Sequence, residues 1–237
     1  MNGERGAALV AVILTMTLLL AVGAALALTT SSETIVAANF AWLHEARYAA
    51  AGALDRALAD IAAVDDWNLL VAGALTSTFV DGPPFGVRRL AGRAVDLGVV
   101  VNVANCGKPT SCSAAEIAGN ATGQRPWGAN NPVWHLFAYG PFGEMLPDGA
   151  GGSPCYVVVL VGDDPAEIDG VPSIDGATPC DAAQRPPACN PGSGAIAVRA
   201  EAFGPAGVHQ IVEAVVARPA VRGQPVRTRA EWTRDVR

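Results

Sequence analysis

The chain has 237 residues, 51% apolar and 16% charged, with a formal net charge of −6. Of its sixteen basic residues only Lys108 is a lysine, so no polycationic face is present and nucleic acid is excluded as a partner. The five cysteines form no C-x-x-C pair and stand far in sequence from His44, His135 and His209, which excludes zinc-site spacing.

From Ala7 to Ser32 no residue carries a charge. As a helix this run measures roughly 36–39 Å, enough to cross a bilayer. A secretory signal has a shorter apolar core, about 7–15 residues, and then a break. The triplet Ala25, Leu26, Ala27 imitates a cleavage site, so removal after Ala27 stands as an alternative reading. From Ser32 to Val64 there is no proline and one glycine, Gly52. Val36, Phe40, Leu43, Ala50, Leu54, Leu58, Ile61 and Val64 recur at helical spacing and predict one packing stripe, with Glu33, Glu45, Arg47, Asp55, Arg56 and Asp60 mostly elsewhere around the helix. The two segments predict one helix from Ala7 to Val64, roughly 85 Å long at the standard rise.

This gives a transmembrane helix half at 7–32, an amphipathic half at 33–64 and one β-rich head domain at 65–237. The cysteines, all in the head, predict disulfides and a location outside the cytoplasm. Arg5, ahead of the apolar run, agrees with that orientation. Local closure joins Cys106 to Cys112 and Cys180 to Cys189 and leaves Cys155 free, with other pairings open.

Within the head, residues 65–84 read as a turn-rich exit from the helix. The stretch VRRLAGRAVDLGVVVNVANC predicts one or two strands, and residues 107–132 a long loop. VWHLFAYG predicts a short strand, and CYVVVLVGDD one buried on both faces. AIAVRAEAFG and VHQIVEAVVAR predict a hairpin in which Ile196, Val198, Ala200 and Ala202 alternate against Arg199 and Glu201. PVRTRAEWTRDVR predicts an edge strand with one wet face. The fold class is α+β, with the outer half of the long helix lying on an antiparallel sheet.

Asp163, Asp164, Glu167, Asp169 and Asp175 supply hard oxygen ligands for a candidate calcium site, with Gly162, Gly170 and Gly176 permitting tight turns. Their spacing is not that of an EF-hand, and the competing reading is a solvated acidic loop. No other cofactor is indicated. No nucleophile elbow, H-E-x-x-H or phosphate-binding loop occurs, so the chain reads as a non-enzyme. His44 is expected on the helix surface, His135 half-buried in a strand and His209 in the last hairpin. Trp127, Trp134, Phe137, Tyr139 and Phe142 are expected to pack the core, with an adhesive face as the alternative.

A leader ending in glycine (MNGERG), an uncharged helix directly after it (AALVAVIL) and the alanine-rich ARYAAAGALDRALADIA resemble the minor pilins of type IV pili. The resemblance is to PilX-type pilins and the related K-type minor pseudopilin of type II secretion. The tail GAIAVRAEAFGPAGVHQIVEAVVAR with its Trp-containing end is similar to the last strands of PilX-type pilins. The resemblance implies a prepilin leader at 1–6, removed after Gly6 by the prepilin peptidase to leave an N-methylated Ala7. It also implies other pilins as partners through the helix, residence in the inner membrane with a periplasmic head, and later a place in a pilus or pseudopilus. Major pilins carry a glutamate at the fifth mature position, where this chain has Ala11, and alanine also replaces the glutamate of their recurrent AAEAG at Ala49–Gly52. The K-type family lacks the intramembrane glutamate too, which fits a subunit that starts or tips a filament. The alternative is a single-pass, membrane-anchored periplasmic or surface binding protein with no filament role.

Overall fold

The computed structural model describes residues 3–119, 131–146, 152–165, 194–218 and 224–235. By packing, the chain divides into two units, Met1–Ala41 and Trp42–Arg237. Helix α1, Gly3–Ala62, supplies the first unit and the opening of the second.

The second unit is built on a five-stranded sheet of β3 (His135–Pro141), β4 (Tyr156–Asp163), β5 (Ala195–Phe203), β6 (His209–Ala217) and β7 (Arg227–Asp235). The strands lie in sequence order and every neighbouring pair is antiparallel. Alternate residues of a strand point to opposite faces, so each strand divides its side chains between two layers. On one face, Val157, Val159, Val161, Ile196, Val198, Ala200, Ala202, Val212, Ala214 and Val216 meet the end of α1. The helix contributes Ala46, Ala49, Ala50, Ala53, Leu54, Ala57 and Ile61, all buried and recurring at three and four residues. Trp67, Leu70 and Val71, the last two in the single-turn α2 (Asn68–Val71), close that core.

Gly52 belongs to the same face for a steric reason. A β-carbon there would lie 2.8 Å from Phe142 Cζ, so the missing side chain is the space the ring occupies. Phe142 opens α5, Phe142–Met145.

The other face packs Tyr156, Val158, Leu160, Ala197 and Phe203 against Val95, Leu97, Val100 and Ala104. These come from the hairpin β1 (Val87–Leu90) and β2 (Arg93–Asp96) and from helix α3 (Leu97–Cys106). A helix, a sheet and a smaller α/β layer thus make three layers. Covered on both sides, β4 is buried at every residue, as its continuous apolar sequence predicts.

The stretch LGVVVNVANC corrects a sequence expectation, being helix α3 rather than strand. Its β-branched residues favour extended backbone, but both ends are capped. The Asp96 carboxylate accepts from the backbone N–H groups of Gly98 and Val99 at 2.9 and 3.2 Å, and Gly107 takes the left-handed conformation (φ 74°) past the last turn. The predicted loop at 107–132 also contains a single helical turn, α4 (Ala114–Ala118), with a capping box between Ser113 and Glu116.

The sheet's two edges differ. Along β3, residues 77–81 run parallel to the strand, with Ser77 N–H donating to Phe137 O, Asp81 N–H donating to Tyr139 O and Phe79 O accepting from Tyr139 N–H, at 2.8–3.2 Å. The other edge is β7.

Because alanine lets the helix backbone approach the sheet closely, enlarging it on the buried face is expected to be costly. Ala50→Leu should destabilise the full chain in detergent by about 1–3 kcal/mol, while Ala59→Leu on the exposed face stays within about 0.5 kcal/mol. Chemical denaturation followed by the fluorescence of the protein's tryptophans measures both.

Candidate functional site

In the first unit, every side chain from Ala7 to Ala41 is exposed, including Leu9, Ile13, Leu19, Leu26 and Leu28. Soluble helices hide at least one face, so an apolar helix exposed all round needs a non-aqueous environment. Its length exceeds the roughly 20 residues that a bilayer requires. Its threonine hydroxyls are satisfied internally. The hydroxyls of Thr15, Thr17, Thr29, Thr30 and Thr34 donate to backbone carbonyls three or four residues earlier at 2.8–3.0 Å. In hydrocarbon an unpaired hydroxyl costs several kcal/mol, so this pattern suits lipid as well as a packed helix array.

Gly6 and Ala7 lie within α1. Of the proposed stripe, Leu54 and Ile61 are buried and Leu43 and Leu58 half-buried, whereas Val36 and Phe40 are 65% and 61% exposed. The intrachain stripe therefore begins near Ala46, and alanines supply most of it. Cys106 and Cys112 are disulfide-bonded, and Cys155 is free and buried in the core. Burial pushes the Cys155 thiol pKa up, away from the reactive thiolate. Cys180 and Cys189 lie outside the described residues, as do Glu167, Asp169, Asp175 and Trp127.

Asp163 ends β4 and Asp164 follows it, both buried. Among the described residues no three of His, Cys, Asp and Glu are grouped to hold a metal ion. Trp134, Phe137, Tyr139 and Phe142 are all buried and pack the core rather than forming an exposed face. His44 is exposed on α1, and His135 is half-buried in β3, where burial lowers its pKa.

His209 leads to residues whose arrangement the strand pattern does not reveal. Arg199 and Glu201, which alternate with the apolar residues of β5, are both buried, at 5% and 3% exposure, with Glu213 at 7%. Arg199 on β5 stands opposite Glu213 on β6. Its Nη1 donates to Glu213 Oε1 at 2.8 Å and its Nε to Glu201 Oε1 at 2.6 Å. His209 Nε2 meets the second oxygen of Glu201 at 2.7 Å, a contact that requires the hydrogen on that nitrogen. The indole N–H of Trp232 donates to the second oxygen of Glu213 at 2.7 Å. Phe203 stacks on the His209 ring at 4.2 Å.

Burial alone would raise the Glu201 pKa. Arg199 and His209 outweigh it and hold the carboxyl below its usual range. All four carboxylate oxygens are engaged, so the cluster orders β5, β6 and β7 rather than presenting a reactive group. The sequence signal for it is Arg199 and Glu201 on the same alternate positions as Phe203, with Glu213 on the next strand.

At the surface, Lys108 hydrogen-bonds Glu116, which also accepts from the Ser113 N–H and hydroxyl, and together these lower the Glu116 pKa to about 2.

Comparison with protein-family models, curated proteins and solved structures returns no match for this chain.

The folded pKa of Glu201 lies below its unfolded value of about 4.3, so its contribution is complete above that pH and is lost as pH falls through the folded value. Arg199→Met leaves two buried carboxylates without their guanidinium. It should cost about 3–5 kcal/mol at neutral pH, with part of the loss recovered near pH 4 as a carboxylate takes up a proton. Denaturation of both proteins across that pH range checks the crossing.

Proposed function

We propose that this chain is a minor pilin or pseudopilin, a structural subunit that helps to start or tip a type IV pilus-like filament. The observation that carries the reading is α1 itself. One helix is uncharged from Ala7 to Ser32 and exposed all round to Ala41, and its alanine-rich end from Ala46 to Ile61 is buried on an antiparallel sheet. The N-terminal pattern MNGERG–AALVAVIL and the α+β layout support it together.

In this reading the chain enters the inner membrane with its head in the periplasm. The prepilin peptidase cuts after Gly6, where the absence of a side chain leaves the backbone free to extend in a protease cleft. The exposed apolar helix then exchanges lipid for the helices of other pilins. Contact, shape and displaced lipid drive that step, since the helix is already out of water. Ala11 places no carboxylate in the membrane and so makes no register-setting charge pair with a subunit above it, which suits a first or last subunit. Val36 and Phe40, exposed just beyond the uncharged run, extend the surface offered to neighbouring helices. The role needs no catalysis and no metal.

The absence of a charge at Ala11 fits a plain membrane anchor equally well, and processing separates the two. Intact-mass analysis of the protein from membranes and sheared filaments of the native host is expected to show loss of Met1–Gly6 and gain of one methyl group, with recovery in the filament fraction. Retention of Met1–Gly6 would favour the anchored binding protein. A terminus at Leu28 would make the opening segment an export signal.

A further inference from the structure

We propose that β7 is an exchangeable strand, and that the edge of β6 beneath it takes the β7 of a second copy of this chain. From Arg227 to Thr233 every side chain of β7 is exposed, and none of these residues belongs to either core. The neighbouring β6 is buried from Gln210 to Ala217. Lifting β7 away therefore withdraws few apolar side chains of its own from contact, so its local opening costs only a fraction of global unfolding. Opening leaves the backbone groups along one side of β6 unpaired, and such an edge recruits an extended strand.

Two observations select a second copy as the source of that strand. Glu213 is buried and takes the Trp232 indole N–H, a donor that disappears when β7 leaves. A β7 from another copy restores that bond, together with the same register, Glu213 opposite Trp232 and Val215 opposite Ala230. The second observation is α1, whose apolar length suffices to hold copies in one bilayer and so to raise the effective concentration of one strand at another's edge. The opposite edge of the sheet is already covered by residues 77–81, which confines exchange to β7. None of this depends on cleavage after Gly6 or on a filament.

The test places cysteines at the facing positions Val215 and Ala230 of the full chain, in isotopically light and heavy versions reconstituted together in vesicles. After oxidation, cross-linked peptides are mapped by mass spectrometry. Peptides joining light to heavy chains are expected, and exclusively same-label links would overturn the proposal by showing that each β7 stays on its own β6. Hydrogen exchange on the unsubstituted protein guards against an effect of the cysteines. Amides of β6 that bond β7 should exchange at least about tenfold faster than those that bond β5, a difference of about 1.4 kcal/mol in opening free energy. Equal protection on the two sides would overturn it as well.

Discussion

The close approach of α1 to the sheet is the contact on which the second unit depends. Alanines at 46, 49, 50, 53 and 57 keep the helix surface thin, and Ile196 and the valines of β4, β5 and β6 fill the space from the other side. Small residues facing large ones interlock, and neither layer can be enlarged without strain. Gly52 carries the same principle to its limit where Phe142 presses on the helix. With this face closed by α1 and the other by α3 and the β1–β2 hairpin, β4 can be apolar on both sides.

Charge in the second unit serves a different purpose from apolar contact. Burying Arg199, Glu201 and Glu213 costs solvation that the ion pairs only partly return, so the cluster is a weak source of net stability. What it supplies is register. Arg199 meets Glu213 directly across the strands, and Trp232 reaches Glu213 only when β7 is paired at its observed position. The apolar layers hold the sheet together, and the ionic cluster specifies the alignment of its last strands.

Much of this arrangement was legible in the sequence. The uninterrupted helix, the both-faces burial of β4, the last hairpin and the edge position of β7 each follow from periodicity and turn residues. The Cys106–Cys112 link follows from sequence proximity. The sequence hides helix α3 because its β-branched run favours a strand, while the deciding residues are the caps, Asp96 and Gly107, outside the run. The buried cluster escaped for a related reason. Alternation separates two faces of a strand but does not say whether a second layer covers the polar one. Val36 and Phe40 showed the converse limit, since helical spacing marks them as apolar neighbours of the stripe without naming what they pack against.

Photo-crosslinking from the position of Leu19, 70% exposed in the apolar helix, tests the central claim most directly. A photoreactive residue placed there in the native host, under conditions that produce filaments, is expected to yield adducts with the uncharged N-terminal helices of other pilin-type subunits. Adducts with lipid alone under the same conditions would contradict the account and leave a protein whose helix remains an anchor.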